Sequence, residues 1–181
     1  KEGGRQGFGE AAGGVELRYV LVPLHPVDRV VFRGALGLSE GDLRRVVSDQ
    51  FGDPPRAGQA AAIVEALTRT YRERGYPSAT VSIALDETHE PDRATMVITA
   101  ESQARASIAE VRFEDVDITA PGAPAARPSV RPGQVYDRPA VERQLQSWEE
   151  DLHGRGYYEA RATHTVTFAP DGAHVAVNLV R

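Results

Sequence analysis

The sequence predicts an α+β protein of tandem β-α-α-β-β units, each a three-stranded mixed sheet with two helices on one face. Three observations support this prediction. The chain repeats itself at an offset of 81 residues, helical and two-residue apolar periodicities alternate along it, and polar, Gly- or Pro-containing turns separate these segments. Its 181 residues, 41% of them hydrophobic, allow one domain or two small ones.

The repeat is clearest at an Arg-Gly-Tyr triplet, which occupies residues 74–76 and again residues 155–157. The same offset aligns Val30 with Val111, each near the start of its unit. It also aligns the apolar residues of the two last strands, with Ala94, Met96 and Ile98 falling on Val175, Val177 and Leu179. One ungapped offset through four elements favours duplication over the alternative, two unrelated α/β stretches that share a turn.

The first unit opens with a strand predicted over Val27–Arg33, in which Val30 and Phe32 share one face. We expect a helix to begin after Ser39, because its hydroxyl can accept a backbone N–H of the first turn. Gly52 can adopt the left-handed conformation that ends this helix.

A second helix follows and ends at Gly75. Its apolar stripe consists of Ala60, Ile63, Val64, Leu67 and Tyr71. Apolar and polar residues then alternate over Ser78–Asp86, which is typical of a strand with one buried face. A polar turn over Glu87–Asp92 and a returning strand over residues 94–100 complete the unit.

The second unit begins with a strand predicted over Ile108–Phe113. Four prolines in Thr119–Pro132 remove helical donors, so the first helix of this unit should be lost or reduced to a turn. Asp137 can cap the next helix. The apolar stripe of that helix is Val141, Leu145, Trp148 and Leu152. Strands at Ala160–Phe168 and His174–Val180 close the unit.

These patterns divide the chain into residues 24–101 and residues 102–181. Residues 1–23 contain an alternating apolar stretch and are predicted to be the tail of a preceding, truncated unit. The chain begins with Lys1 and shows no signal-peptide pattern, so we expect a piece of a longer or processed protein. The connection at residues 100–106 has few Gly residues, which predicts a semi-rigid tandem.

Composition excludes several classes of protein. A net charge of −5 argues against a nucleic-acid partner held by phosphate contacts. The absence of Cys excludes disulfides and thiolate metal sites. No apolar run approaches the ~18 residues of a membrane-spanning helix.

No catalytic, metal or cofactor site is predicted. The five His residues lack metal-ligand spacing, and no HExxH, GxSxG or phosphate-loop motif occurs. His164 should pack on the inner face of its strand, and the acidic residues of Asp86–Asp92 lack the calcium-loop pattern. The alternative, a small α/β enzyme, would require a deep pocket lined by groups with shifted pKa values.

Several segments resemble POTRA (polypeptide-transport-associated) domains. In the first unit these are Val30–Gly34, Gly52–Pro55 and the helix-to-strand segment Tyr71–Ala79. Their counterparts in the second unit are Arg131–Asp137 and Gly154–Ala160. One departure is that residues 114–115 are Glu-Asp where the first unit has Arg-Gly.

The resemblance implies periplasmic domains ahead of an outer-membrane β-barrel, first of the BamA type and then of TamA-like and two-partner-secretion translocators. It implies as partners unfolded outer-membrane or secreted polypeptides, accessory periplasmic lipoproteins and a C-terminal barrel of the same chain. An FtsQ-like division protein, which carries one such domain behind a membrane anchor, is an alternative of another class. The tandem copies argue against it.

A three-stranded sheet has two edges, and the resemblance implies that the second strand of each unit is one of them. An extended polypeptide could add to that strand by backbone hydrogen bonds, whatever its side chains. The residues predicted for this peptide-binding edge are Ser78, Thr80, Ser82, Ala84, Arg161, Thr163, Thr165 and Thr167. The alternative is an edge that is solvated or shielded by the neighbouring unit.

Overall fold

The structure is a computed structural model that describes residues 26–89, 92–114 and 128–180. The elements of the first unit are β1 (Val27–Arg33), α1 (Glu40–Phe51), a single 3₁₀ turn (Ala57–Gln59), α2 (Ala60–Glu73), β2 (Thr80–His89) and β3 (Asp92–Glu101). Those of the second unit are β4 (Ile108–Glu114), α3 (Arg138–Gly154), β5 (Arg161–Ala169) and β6 (Gly172–Val180). The predicted α+β class, with two three-stranded mixed sheets, is confirmed.

In both sheets the last strand of the unit lies in the centre. The strand orders are β1-β3-β2 and β4-β6-β5. The central strand is parallel to the first strand of its unit and antiparallel to the second. Strands β2 and β5 are therefore edge strands, as the resemblance implied.

Helix α1 begins and ends at the residues that the sequence predicts. The Ser39 hydroxyl oxygen accepts the Asp42 backbone N–H at 3.1 Å, and the hydroxyl donates to the Asp42 carboxylate at 2.7 Å. Gly52 ends the helix with a φ of 89°. The helix buries Leu43 and Val47 in the first core.

The Arg-Gly-Tyr triplets end α2 and α3 with the same turn. In each, the tyrosine N–H donates to the carbonyl five residues earlier, at 2.8 Å for Tyr76 and 3.0 Å for Tyr157. The φ angles of Gly75 and Gly156 are 88° and 97°, in the left-handed region that favours glycine. The need for this turn in both units explains why the triplet recurs in the sequence.

Each unit has its own core, which lies between the sheet and helices α1 and α2 in the first unit and between the sheet and α3 in the second. In the first core Ile63 and Leu67 of α2 pack with Met96 and Ile98 of β3. In the second core all four residues of the predicted α3 stripe are buried, namely Val141, Leu145, Trp148 and Leu152. The helical periodicity therefore predicted the buried face of α3 correctly.

Strand pairing corrects the register of the repeat. Val30 pairs with Met96, whereas its counterpart Val111 pairs with Val175. Met96 thus corresponds to Val175, not to Val177, and the predicted ungapped offset is wrong for the last strand. Strands β2 and β3 have ten residues each, whereas β5 and β6 have nine. The second hairpin is shorter by two residues, a change that keeps every side chain on its face of the sheet.

Two predicted strand boundaries also differ from the structure. The predicted polar turn over Glu87–Asp92 is wrong, because β2 continues to His89 and β3 starts at Asp92 with those two residues paired. Strand β2 starts at Thr80, so Ser78 lies in the preceding turn and is not part of the edge strand.

Some predictions concern residues outside the described ranges. The predicted tail at residues 1–23 lies there, as does most of Thr119–Pro132. The division between residues 101 and 102 stays a prediction. None of the helices in the described parts of the chain is both long and apolar enough to span a membrane.

A polar junction connects the two units. The Ala106 N–H donates to the Gly75 carbonyl at 2.7 Å. The Asp137 carboxylate accepts a hydrogen bond from the Arg74 guanidinium at 3.1 Å. It also lies 3.6 Å from a guanidinium nitrogen of Arg105. The same carboxylate accepts the Ala140 N–H at 3.3 Å, so Asp137 both caps α3, as predicted, and contacts the first unit.

Candidate peptide-binding edges

The central strand β3 determines which backbone groups of β2 point outward. The Ala94 N–H donates to the Pro26 carbonyl, on the β1 side of the sheet, at 2.9 Å. Because alternate residues of a strand point their backbone groups to opposite sides, Thr95, Val97 and Thr99 point theirs toward β2.

These three residues pair with Asp86, Ala84 and Ser82. The even-numbered residues of β2 therefore use their backbone groups to bond β3. The residues between them turn their N–H and C=O groups to the open edge, and these residues are Val81, Ile83 and Leu85.

The second sheet follows the same rule. The Ala173 N–H donates to the Ser107 carbonyl, on the β4 side, at 2.8 Å, so His174, Ala176 and Asn178 face β5. Their partners Thr167, Thr165 and Thr163 bond β6. The outward backbone groups of β5 belong to Ala162, His164, Val166 and Phe168.

The predicted site residues thus lie on the two edge strands, with the exception of Ser78. Their side chains are exposed on the open face of each sheet. Their backbone groups, however, face the central strand, and the backbone groups available to a partner belong to the intervening residues. Sequence alternation showed which residues share a face but not toward which neighbour their backbone groups turn.

The edge of β2 is long and regular. Its pairing with β3 is continuous from Thr80 to His89, without a bulge. The strand contains no Pro, Lys or Arg, and no charged residue occurs from Thr80 to Leu85. Natural sheets usually protect an exposed edge with such residues or with bulges, so an unprotected edge favours strand addition.

The edge of β5 is partly occupied by side chains of α3. The Glu149 carboxylate accepts the Ala162 N–H. The Nε2 atom of His153 lies 3.0 Å from the Ala160 carbonyl oxygen. The first outward backbone groups at this edge are therefore already bonded within the unit.

A cleft of about 410 Å³ lies between α3 and β5. Glu142 and Glu149 line it from the helix and His164 lines it from the strand. Burial lowers the pKa of the half-buried His164, which lies on the inner face as predicted. Arg138 donates to Glu142 at 2.8 Å. No group of three or more His, Cys, Asp and Glu residues that could hold a metal ion occurs in the described ranges.

The remaining edge strands, β1 and β4, are interrupted. A bulge lies between Val27 and Arg29, and the Arg44 guanidinium donates to the Val30 carbonyl at 3.3 Å. In β4 the register shifts after Ile108.

The N–H of Ile108 donates to the Gln134 carbonyl at 2.7 Å, and its own carbonyl accepts the Gly133 N–H at 2.8 Å. Helix or loop residues therefore cover part of both β1 and β4. From Thr80 to Asp86, strand β2 differs from the other three edges, because no helix or loop residue in the described part of the chain bonds its outward backbone groups.

Comparison with known families and structures gives one sequence match and several structural ones. The sequence model of the POTRA family, described as the surface antigen variable number repeat, matches residues 25–101. No curated protein matches this chain.

Among solved structures, POTRA3-5 of Haemophilus influenzae BamA has 14% sequence identity and a TM-score of 0.45, with 88% of this chain and 68% of that chain covered. BamA from Haemophilus ducreyi lacking POTRA domains 1-3 has 18% identity and a TM-score of 0.49, with coverages of 87% and 29%. CdiB from Escherichia coli has 16% identity and a TM-score of 0.35, with coverages of 96% and 29%. This chain spans less than a third of the last two.

The family match coincides with the first unit as the strands define it. The second unit has the same strand order and the same Gly-Tyr turn after its helix. Residues 25–101 of the chain therefore match the POTRA family, and a second unit of the same sheet topology follows them.

Proposed function

We propose that this chain belongs to the periplasmic region of an outer-membrane protein assembly factor of the BamA type. In this proposal it binds unfolded outer-membrane polypeptides by strand addition. Accessory periplasmic lipoproteins and an outer-membrane barrel of the same protein are its further partners. The observation that carries the proposal is the uninterrupted ten-residue edge strand β2 of the POTRA domain.

Strand addition suits clients of varied sequence. The outward N–H and C=O groups of Val81, Ile83 and Leu85 can bond any extended backbone. The neighbouring side chains on the open face, Thr80 and Ser82, are small, uncharged and exposed. These side chains therefore discriminate little between client sequences.

The same geometry predicts weak, reversible binding. Each backbone hydrogen bond contributes about 0.5–1.5 kcal/mol net, and ordering each client residue costs a similar amount. A short client segment would therefore exchange rapidly, which is what a protein that passes clients onward requires.

The proposal is tested by photo-crosslinking in the full-length protein. A photoreactive amino acid at Ser82 is exposed to a urea-unfolded outer-membrane porin after dilution. Ile83→Pro removes one outward N–H without removing a bond to β3 and should reduce the crosslink severalfold.

Ile83→Ala is the matched control for this variant, because it loses the same half-buried side chain and keeps the N–H. Equal crosslinking of the Pro and Ala variants, both folded by circular dichroism, would contradict strand addition at β2.

A further inference from the structure

We propose that the two POTRA-type edges are unequal: β2 accepts the client, whereas Glu149 and His153 hold the edge of β5 closed. We call these two side chains the α3 latch. This inference rests on the proposed function and specifies which unit performs it. The client remains an extended, unfolded outer-membrane polypeptide.

The latch occupies the positions that a client strand would need first. The Ala162 N–H and the Ala160 carbonyl both point away from β6, and each is engaged by a side chain of the latch. A client that pairs with the start of β5 must displace both side chains. Because a carboxylate is a stronger acceptor than a backbone carbonyl, replacing the Glu149 bond to the Ala162 N–H by a bond to a client carbonyl is unfavourable.

The side chain at the far end of β5 contacts residues of both units. The guanidinium of Arg72, on α2 of the first unit, lies 5.6 Å from the centre of the Phe168 ring. That ring also meets Tyr136 edge-on at 5.4 Å. These contacts involve the ring of Phe168 and do not bond its backbone groups, so within the described residues the bonded outward groups of β5 are those at its start.

The first unit has no counterpart of the latch. The repeat places Thr68 at the position of Glu149 and Arg72 at the position of His153. Within residues 26–89, neither side chain makes a hydrogen bond to β2. The two units share a fold, and they differ in the side chains that reach the edge.

The first test compares equivalent positions in one protein. A photoreactive amino acid is placed at Ser82 or at Thr163 of the full-length protein, and the urea-unfolded porin is the probe. We expect about tenfold more crosslinking at Ser82. Equal yields at the two positions would overturn the inequality and leave the proposed function intact. Crosslinking at neither position would overturn both.

The second test opens the latch. The double variant Glu149→Ala, His153→Ala should raise the yield at Thr163 severalfold and leave the yield at Ser82 unchanged. Glu150→Ala is the matched control, because it removes an exposed α3 carboxylate whose hydrogen bond is to Gln146 on the same helix. An unchanged yield at Thr163 in the folded double variant would overturn the inference.

A measurement without client tests the latch itself. Amide hydrogen exchange should be about tenfold slower at Ala162 than at Val81, since only the Ala162 N–H has an acceptor at the edge. Glu149→Ala should accelerate exchange at Ala162 and leave Val81 unchanged. Exchange at Ala162 that is as fast as at Val81 in the wild-type protein would show that no latch exists.

Discussion

Tyr71 and Tyr136 place their phenol rings in the two cores. Neither hydroxyl has a hydrogen-bond partner within the described part of the chain. The rings pack edge-on, Tyr71 with Tyr76 at 6.0 Å and Tyr136 with Phe168 at 5.4 Å. Since an unpartnered buried hydroxyl is unfavourable, the contribution of these residues to stability comes from the rings.

Burial raises the pKa of both phenols to about 12, which makes stability depend on alkaline pH. An unfolded phenol ionises near pH 10, whereas the folded one keeps its proton until about pH 12. The free energy of unfolding should therefore fall through this window, by up to about 1.4 kcal/mol per pH unit for each phenol. Urea unfolding at a series of pH values measures the slope.

Tyr71→Phe combined with Tyr136→Phe is the control for this prediction. The double variant keeps the rings, so its stability at neutral pH should equal or exceed that of the wild-type protein. Its free energy of unfolding should lose most of the dependence above pH 10. An unchanged slope would assign the alkaline effect to other groups.

At the scale of elements, the Gly-Tyr turns are one structure in two environments. A Cβ atom on Gly75 would lie 2.3 Å from the Tyr136 carbonyl oxygen, across the junction between the units. A Cβ atom on Gly156 would meet no described atom within 4 Å. The two glycines share the left-handed conformation and differ in the space around them.

We therefore expect Gly156→Ala to cost about 1–2 kcal/mol, the penalty for a left-handed L-residue. Gly75→Ala should reduce the free energy of unfolding by distinctly more, because the Tyr136 carbonyl of the second unit must also move away from the added Cβ atom. Urea unfolding followed by circular dichroism compares the two variants. Equal losses of unfolding free energy in the two variants would mean that moving the second unit away from Gly75 requires no free energy.

The sequence predicted those elements whose causes are local. Ser39, Asp137 and the two turn glycines act on their own helix ends, so their positions were correct. The two-residue shortening of the second hairpin was missed, because a shift of two preserves the alternation that the prediction used. The polar residue Glu87 was placed in a turn, because its pairing partner in β3 is not visible locally.

The candidate edges were predictable only in part, for the same reason. Strand alternation located β2 and β5, whereas the direction of their backbone groups follows from pairing with the central strand. Glu149 and His153 look like ordinary polar residues of α3 in the sequence. Their contacts to β5 lie 13 and 7 residues away, and no periodicity indicates them.

At the scale of the whole molecule, Asp137 connects local and global structure. It caps α3 and, through Arg74 and Arg105, contacts the first unit. Asp137→Ala should reduce stability by about 1–2 kcal/mol, as expected for a lost helix cap, and also widen the distribution of angles between the units. Residual dipolar couplings measured separately for each unit report that distribution.

Ser39→Ala provides the matched comparison, since Ser39 caps α1 and its side-chain hydrogen bonds are to Asp42 of that helix. It should lose similar stability and leave the angle between the units unchanged. If both variants changed the residual dipolar couplings to a similar extent, Asp137 would have no specific role in holding the two units together.

The unprotected edge of β2 has a consequence for the protein when no client is present. Two molecules that meet along this strand can align antiparallel and join their sheets into one six-stranded sheet across a twofold axis. Each copy then offers the other the backbone that a client would offer. Under the proposed function, dimerisation and client capture would compete for one strand, so a high concentration of the free protein would inhibit client binding.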